Sequence, residues 1–293
     1  MDTITTLAGA TGATITDLAD FAASRPAFPE AVKGERRCFR TIWISDVHLG
    51  TRGCNADLLI DFLDHTDSDT MYLVGDIIDG WRLKKKFYWP DAHNDVIWRI
   101  LKRARRGTRI VYIPGNHDEM FRQFTGLHFG GVEIKRQAMH VTADGRRLLV
   151  LHGDEFDAIM LSHRWLADLG DVAYTFAMRA NRWVNTVRRM AGMPYWSLSK
   201  HTKHKVKKSV EFISDFEGVV AREAGARGVD GVVAGHIHTA EMRTIDGIEY
   251  HNDGDWVEGC TALVEHFDGR MEILHWIEEM AARDLVLVDR VAA

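Results

Sequence analysis

The stretch Met71–Gly80, which reads MYLVGDIIDG, contains the pattern around which this chain is organised. Its first four residues, Met71–Val74, are mostly apolar and typical of a buried strand, and Gly75 interrupts them immediately before Asp76. Open α/β sheets place their chemistry just beyond the carboxyl ends of their strands. The stretch therefore predicts a central strand that presents a carboxylate to a functional site.

The same construction recurs at four other points of the chain. Each time a short apolar run is followed by a block containing Asp, Asn or His: Ile42–Ile44 precedes Ser45-Asp46-Val47-His48, Ile110–Ile113 precedes Pro114-Gly115-Asn116-His117-Asp118, Leu148–Leu151 precedes His152-Gly153-Asp154, and Val232–Ala234 precedes Gly235-His236-Ile237-His238. One such block is a weak signal, because turns often contain these residues. Five strand ends of this kind predict a metal site.

The composition is that of a globular chain. Of its 293 residues, 46% are hydrophobic and 27% are charged, and the formal net charge is −5. This negative balance argues against nucleic acid as the partner. Cys38, Cys54 and Cys260 are odd in number and show no close pairing, and we find neither a secretory leader nor an apolar run of the ~18–20 residues that a membrane span needs. We therefore expect a reduced, cytoplasmic protein.

Strands and helices alternate in the first half of the chain. Helical patterns over Ala56–His65 and about His93–Arg106 separate the apolar runs, and this order implies parallel strands covered by helices. In the second half, three Asp-Gly pairs lie between apolar or alternating runs and predict hairpins: Asp144-Gly145, Asp246-Gly247 and Asp268-Gly269. We predict an α/β fold of two packed mixed sheets flanked by helices.

Two segments lie outside this alternation. We interpret residues 1–38, rich in Thr, Ala and Gly, as a flexible N-terminal extension of a domain covering 39–293. About 156–228 is predicted to be a helical cap insertion with an apolar stripe from Trp165 to Met190. Between Val172 and Val210 this insertion has nine Arg and Lys residues and no Asp or Glu. Its basic face is either simply solvated or recognises an anionic, partly apolar substrate.

The donor residues in the five blocks are oxygen and imidazole groups, namely Asp46, His48, Asp76, Asn116, His152, His236 and His238. Such a set, without thiolate, suits Mn, Fe, Zn or Co. Seven donors exceed what one tetrahedral ion needs, and they suit two ions that share Asp76 and clamp a phosphoryl group. His236 and His238 would face opposite ways in an extended segment, so we expect a sharp turn permitted by Gly235.

Taken in order, five motifs resemble the signature of the calcineurin-like metallophosphoesterases: DVHLG (Asp46–Gly50), GDIID (Gly75–Asp79), GNHDE (Gly115–Glu119), HGD (His152–Asp154) and GHIH (Gly235–His238). The resemblance covers roughly residues 40–276, and five motifs in the family's order are highly specific. It implies a four-layer αββα sandwich with a dinuclear metal centre at the strand ends.

The resemblance also implies roles for individual residues. The first metal ion would be held by Asp46, His48, Asp76 and His238, and the second by Asp76, Asn116, His152 and His236. His117 would protonate the leaving oxygen, and Asp79 would fix the tautomer of His117. A metal-bridging hydroxide would attack the phosphorus atom. The cofactor would be two divalent ions, with manganese preferred and iron, zinc or cobalt as alternatives.

Within that family, the chain length, the DVHLG opening and the insertion are similar to the UDP-2,3-diacylglucosamine diphosphatase group of lipid A synthesis. This implies cleavage of a pyrophosphate in a lipid-linked nucleotide, with peripheral contact at the anionic inner face of a membrane. The basic, aromatic segment Trp81–Phe87 would extend the rim of the site. Expected substrate-binding residues are Asn116, His117, Arg82, Lys203 and Lys205. Well-known members of the group carry Arg where this chain has His117, which is the general phosphoesterase pattern.

Two alternatives stay open at this stage. The chain could be a phosphodiesterase or phosphomonoesterase acting on another phospholipid, a nucleotide or a phosphoprotein. It could also be a non-catalytic scaffold that binds metal, although the presence of both His117 and Asp79 argues against this. His251 and Asn252, which follow the histidine pair closely, are additional candidates for lining the site.

Overall fold

The computed structural model of the chain describes residues 36–157, 213 and 216–283. Its helices are α1 (Ala56–His65), α2 (Gly80–Lys85), α3 (Asp91–Arg105), α4 (216–226) and α5 (276–283). Its strands are β1 (Arg37–Ile44), β2 (Thr66–Val74), β3 (Arg109–Ile113), β4 (His128–Phe129), β5 (Val132–Ile134), β6 (Ala138–Val141), β7 (Arg147–Val150), β8 (Gly231–Ala234), β9 (Glu241–Ile245), β10 (Ile248–Asn252), β11 (Thr261–Glu265) and β12 (Met271–His275). Most of the predicted N-terminal extension and most of the predicted cap lie outside the described residues.

The strands form two mixed sheets, as predicted. The first has seven strands in the order β12-β11-β1-β2-β3-β5-β4, and the second has five in the order β6-β7-β8-β10-β9. Strands β1, β2, β3 and β5 are parallel, as are β7, β8 and β10. The pairs β6–β7, β9–β10 and β11–β12 are antiparallel, and the three predicted Asp-Gly turns connect them. All three hairpin predictions are confirmed.

Three apolar clusters separate four layers. The first lies between the seven-stranded sheet and helices α1 and α3, and includes Ile42, Leu59 and Val96. The second lies between the two sheets, where Trp43 and Val233 are fully buried. A third joins the five-stranded sheet to α4 and includes Leu149, Phe216 and Val220. Successive residues of β1 alternate between the first two clusters, as the period of a strand requires. The αββα sandwich is confirmed.

The helices on the first face form where their apolar spacing predicts. Helix α1 spans the predicted residues and buries Leu59, Phe62 and Leu63 against the sheet. Each such fully buried side chain contributes about 1.5–3 kcal/mol relative to an exposed one. Helix α3 buries Val96 and Ile100 at helical spacing. Among the described residues, none of the helices combines the length and apolar character that crossing a membrane requires.

Candidate metal centre

The carboxyl ends of the central strands bring the predicted donor residues to one edge of the sandwich. In the first sheet, Asp46 follows β1, Asp76 follows β2 and Asn116 follows β3. The N–H of Asp46 donates to the carbonyl of Gly75 (3.1 Å), and the N–H of His48 donates to the carbonyl of Asp76 (2.8 Å). These backbone bonds fix the first two loops side by side. The site therefore rests on strand ends rather than on free loops.

Five imidazole and carboxylate groups surround a common space. Nε2 of His48 lies 3.9 Å from Oδ1 of Asp46 and 3.9 Å from Oδ2 of Asp76. Nε2 of His152 lies 3.7 Å and 3.8 Å from the same two oxygens. Nε2 of His238 approaches Oδ1 of Asp46 to 3.1 Å. Most of these separations exceed a hydrogen bond, but they suit ligands that each lie ~2.0–2.2 Å from a shared ion.

Several of the predicted donor atoms have no hydrogen-bond partner within the described part of the chain. Nε2 of His48, Nε2 of His152 and Oδ1 of Asn116 are buried and unpartnered. A buried polar atom without a partner costs about 1–3 kcal/mol, so several in one place are typical of a site that binds an ion. Among the described residues the donor atoms form three clusters: Asp46 with His48 and His238, Asp46 with Asp76 and His152, and His48 with Asp79 and His117. The clustered His and Asp residues fit a dinuclear divalent metal site.

Backbone strain is concentrated at the same positions. Seven non-glycine residues in the described ranges have a positive φ, and five of them are predicted ligands: Asp46 (49°), His48 (53°), Asp76 (53°), His236 (73°) and His238 (53°). The left-handed region is uncommon for residues other than glycine, and such strain clusters at functional sites. The backbone conformation that directs these side chains into the site therefore costs the fold some stability.

The histidine pair turns for a different reason than its sequence suggests. Gly235 does not have a positive φ, and the sharp turn comes from His236 and His238 themselves. A Cβ at Gly235 would lie 2.6 Å from Oγ of Ser45 and 2.8 Å from Oδ2 of Asp46. Glycine is required there because β8 ends in close contact with the loop after β1. The explanation based on chain reversal at Gly235 is wrong, although the turn itself is present.

His236 joins this edge through its backbone and its ring. Its N–H donates to Oδ2 of Asp46 (2.8 Å), and its ring centroid lies 5.1 Å from that of His152. Nε2 of His236 lies 2.9 Å from Oδ1 of Asp157, and His236 belongs to none of the three clusters of donor atoms described above. Asp157 therefore holds the orientation of this imidazole.

Burial and charge set the pKa values of the carboxylates. Burial raises the pKa of Asp76 to about 6, although the nearby His152 opposes this. Burial would also raise the pKa of Asp46, but the adjacent imidazoles of His152 and His238 hold that pKa well below its ordinary value. Burial lowers the pKa of His48. One carboxylate is thus firmly ionised, and a divalent cation would favour ionisation of the other.

Asp79 lies between two imidazoles. Its Oδ1 is 3.1 Å from Nδ1 of His117, and its Oδ2 is 3.3 Å from Nδ1 of His48. Nε2 of His117 is directed towards the cluster, 4.0 Å from Oδ2 of Asp76, and the His117 side chain is 25% exposed. The indole of Trp81 covers this ring, with centroids 4.3 Å apart. His117 is therefore oriented by Asp79 and accessible from solvent.

The predicted substrate-binding cations are less constrained. Arg82 lies in α2 and is exposed, and its backbone N–H donates to Oδ1 of Asp79 (2.8 Å), which caps the helix. Lys203 and Lys205 lie outside the described residues. Nδ2 of Asn252 donates to the carbonyl of Gly235 (2.8 Å), so this residue supports the turn. Nε2 of His251 lies 3.3 Å from Oε2 of Glu249.

Several supporting residues were not predicted. Oδ1 of Asp154 lies 3.1 Å from Nδ1 of His152, and Asp154 accepts two hydrogen bonds from Arg122 (2.6 and 2.7 Å). Asp118 accepts hydrogen bonds from the N–H groups of Gly115 (2.6 Å) and Ile77 (2.9 Å), which ties two loops together. Asp154 belongs to the HGD motif and Asp118 to the GNHDE motif, so the sequence could have indicated their supporting role by their position beside the donor residues.

A second unpredicted group lies behind Asp46. Oγ of Ser45 donates to Oδ2 of Asp46 at 2.6 Å and also lies 2.6 Å from Oδ1 of Asp253. All three residues are fully buried. Burial, reinforced by the charge of Asp46, raises the pKa of Asp253 well above its ordinary value. No motif in the sequence marks Asp253, which lies beyond the end of β10.

Comparison with known proteins agrees with this geometry. The family model described as calcineurin-like phosphoesterase matches residues 39–240. A protein named UDP-2,3-diacylglucosamine hydrolase from Chromohalobacter salexigens is 29% identical over 119 residues, covering 39% of this chain and 46% of that protein. One of the same name from Aliivibrio fischeri is 22% identical over 219 residues, covering 69% of this chain and 83% of that protein.

The matches also include a protein with a different name. A DNA polymerase II small subunit from Methanothermobacter thermautotrophicus is 27% identical over 157 residues, covering 42% of this chain and 32% of that protein. The chain thus spans about half the length, or less, of the first curated relatives it matches.

Solved structures with a similar backbone have low sequence identity to this chain. The structure titled a novel archaeal phosphodiesterase covers 80% of this chain and 98% of that one, with 11% identity and a TM-score of 0.39. Yfce, a phosphoesterase from E. coli, covers 80% and 98%, with 14% identity and a TM-score of 0.36.

Proposed function

We propose that this chain, which belongs to the calcineurin-like phosphoesterase family and is therefore a metal-dependent phosphohydrolase, cleaves the pyrophosphate of UDP-2,3-diacylglucosamine or of a similar lipid-linked nucleotide. The observation that carries the proposal is the set of buried, unpartnered donor atoms at the strand ends. Three curated relatives named UDP-2,3-diacylglucosamine hydrolase, which are 22–29% identical to this chain over the matched residues, support the choice of substrate.

The proposed ligand sets divide the donors between two ions. Asp46, His48, Asp76 and His238 would hold the first ion, and Asp76, Asn116, His152 and His236 would hold the second. The cluster of Asp46, His48 and His238 supports the first set, and the proximity of His152 to Asp76 supports the second. When bound, two divalent ions supply a Lewis acid for the phosphoryl oxygens and activate water near neutral pH. We propose manganese as the resident metal, since this donor set of oxygen and imidazole suits it.

His117 is the proposed proton donor to the leaving oxygen. Its Nδ1 faces Asp79, which would accept the Nδ1 proton and hold the ring in place, so that the doubly protonated imidazolium carries the proton to be donated on Nε2. Its Nε2 faces the donor cluster and lies at the exposed side of the site, where a substrate oxygen can approach. Imidazole suits this transfer because its ordinary pKa is near neutrality. The indole of Trp81 restricts movement of the ring on its outer face.

Substrate contacts belong to the same proposal. Asn116 and His117 would contact the phosphate, and Arg82, Lys203 and Lys205 would contact the anionic remainder of the substrate. Exposure of Arg82 beside the site supports its role, whereas the two lysines rest on the charge pattern of the sequence alone.

A second candidate substrate class is favoured by His117 itself. The general phosphoesterase pattern has His at this position, whereas the diphosphatase group to which the motifs are most similar often has Arg. A phosphodiester or phosphomonoester of another phospholipid, of a nucleotide or of a phosphoprotein therefore remains the competing proposal, with the same metal centre and the same roles for the donors.

The proposal also places the chain in the cytoplasm, in peripheral contact with an anionic membrane. Trp81 and Phe87 are 41% and 77% exposed on a segment whose Arg82, Lys84, Lys85 and Lys86 are also exposed. Basic side chains beside exposed aromatic rings favour anionic lipid surfaces. Vesicles containing phosphatidylglycerol should sediment the protein and vesicles of phosphatidylcholine should not. Equal sedimentation by both would contradict this part of the proposal.

Product analysis by mass spectrometry tests the substrate. The Mn²⁺-loaded protein is given UDP-2,3-diacylglucosamine and bis-p-nitrophenyl phosphate in parallel, with Asp76→Ala as the blank. Release of UMP faster than release of p-nitrophenol supports the pyrophosphate substrate. Hydrolysis of the artificial diester without release of UMP would reject that substrate and favour the second class.

A further inference from the structure

One hydroxyl group bridges two fully buried carboxylates behind the donor cluster. Oγ of Ser45 lies 2.6 Å from Oδ2 of Asp46 and 2.6 Å from Oδ1 of Asp253, and 3.1 Å from the carbonyl oxygen of Gly254. The other oxygen of Asp253, Oδ2, has no hydrogen-bond partner within the described ranges. Asp46 is the only donor residue of the cluster that Ser45 contacts among the described residues.

Counting hydrogens shows how these groups can be bonded. A serine hydroxyl has one hydrogen to donate, whereas an ionised carboxylate can only accept. Two ionised carboxylates could not both accept that hydrogen at 2.6 Å, and one of the contacts would be repulsive. Asp46 already accepts from the N–H of His236 (2.8 Å) and faces imidazoles with its other oxygen. The hydrogen that completes the chain therefore lies on Asp253, which donates to Ser45, which donates to Asp46.

The surrounding backbone keeps this arrangement rigid. The N–H of Trp256 donates to the carbonyl of Asp46 (3.1 Å). A Cβ at Gly235 would collide with both Ser45 and Asp46. The carboxylate plane of Asp46 is thus set by contacts on its protein side.

We propose that Asp253 is a positioning residue, which acts through the hydroxyl of Ser45 to fix the carboxylate of Asp46 in the orientation that binds metal. This inference rests on the proposed function, since it takes Asp46 as a metal ligand. Mutation of a residue that orients a metal ligand through hydrogen bonds typically lowers metal affinity or activity by about 10–100-fold.

Calorimetric titration of the metal-free protein with Mn²⁺ tests the inference without relying on activity. Asp253→Ala and Ser45→Ala should each weaken Mn²⁺ binding by about 10–100-fold. Asp253→Asn should stay within about threefold of the wild type, because an amide N–H can donate to Ser45 in place of the carboxylic acid. Since Asp253 acts through Ser45, the double variant Asp253→Ala/Ser45→Ala should bind no more weakly than Ser45→Ala alone.

Thr261→Val is the matched control. It removes a buried hydrogen bond to the backbone of Asp253 and leaves the carboxyl group untouched, so it should lower the melting temperature and leave Mn²⁺ affinity unchanged. Should Asp253→Ala fail to fold, the near-isosteric Asp253→Asn and Ser45→Ala still carry the comparison.

Three results would overturn the inference: wild-type Mn²⁺ affinity in Ser45→Ala, affinity in Asp253→Asn reduced as far as in Ser45→Ala, or additive losses in the double variant. A wild-type protein that binds Mn²⁺ but hydrolyses no phosphoester would instead reject the proposed function, and the affinity comparison would still stand.

Discussion

Replacing His117 with alanine should slow hydrolysis by an amount that depends on the leaving group. His117 is the partly exposed imidazole whose Nε2 faces the donor cluster, 4.0 Å from Oδ2 of Asp76, while Asp79 holds its Nδ1. A positioned general acid contributes about 10²–10⁴-fold, equivalent to ~3–5 kcal/mol in the barrier. The full loss is expected for diphenyl phosphate, because its leaving phenolate is basic and needs a proton.

The loss should be much smaller for bis-p-nitrophenyl phosphate. The p-nitrophenolate ion is stable without a proton, so removal of the acid should cost about tenfold or less. The assay compares kcat for the two diesters in wild type and His117→Ala, with released phenol measured by chromatography. Metal content should stay at the wild-type value, because His117 belongs to neither of the two proposed ligand sets.

Two further variants serve as comparisons for His117→Ala. His128→Ala replaces an exposed histidine on β4, outside all five motifs, and should leave both rates unchanged. Asp79→Asn should lower both metal affinity and kcat by about 10–100-fold, because Asp79 contacts His48 as well as His117. An asparagine retains the cap that the N–H of Arg82 finds on Asp79. Equal losses on the two diesters in His117→Ala, or no loss, would refute the general-acid role.

Three other perturbations give independent tests. Gly115→Ala should weaken Mn²⁺ binding by about tenfold or more, because its Cβ would lie 2.3 Å from Oδ1 of Asp76 and 2.6 Å from Cε1 of His152. The control Gly218→Ala in α4 should leave binding unchanged. Equal Mn²⁺ affinities of the two variants in calorimetry would contradict this prediction. Removing metal with a chelator should lower the melting temperature, since ions at 100 times their Kd stabilise by about 2.7 kcal/mol; an unchanged scanning-calorimetry transition would argue against binding. Burial alone would raise the pKa of Glu265, but hydrogen bonds from His140, Ala143 and Arg40 outweigh it and lower that pKa from 4.5 to about 2. Ionised Glu265 therefore contributes up to about 3 kcal/mol to the free energy of unfolding above pH 4.5, and this contribution is lost as the pH falls towards 2. The free energy of unfolding, measured with urea between pH 4.5 and 2, should fall with decreasing pH in the wild type and fall less steeply in Glu265→Gln.

Much of the fold follows from local patterns in the sequence. Helix α1 and the three Asp-Gly hairpins match their predictions because apolar spacing and turn chemistry act over a few residues. The polar first half of β2, TDSDT, was not recognised as strand, since it forms only through pairing with β1. Strand β4 has two residues, too few for any period, and exists because it pairs with β5. Helix α2 was seen only as a basic segment, and its cap by Asp79 depends on the loop after β2.

The candidate site divides in the same way. Residues in the five motifs were found because each motif is local and follows an apolar strand. The contact between Ser45 and Asp253 was not, because it joins positions 208 residues apart. It exists only because β10 pairs in parallel with β8 and ends at the same edge as β1. The strained backbone at His236 and His238 was equally hidden, since the sequence offers Gly235 as the obvious place to turn.

Metal titration followed by an activity assay tests the central claim most directly. The metal-free protein is titrated with Mn²⁺, and hydrolysis of bis-p-nitrophenyl phosphate is measured at each step in wild type and Asp76→Ala. Two bound ions per chain, with activity that appears as the sites fill and is absent in Asp76→Ala, are the predicted result. Full activity without metal, or wild-type stoichiometry and activity in Asp76→Ala, would contradict a dinuclear phosphohydrolase built on these strand ends.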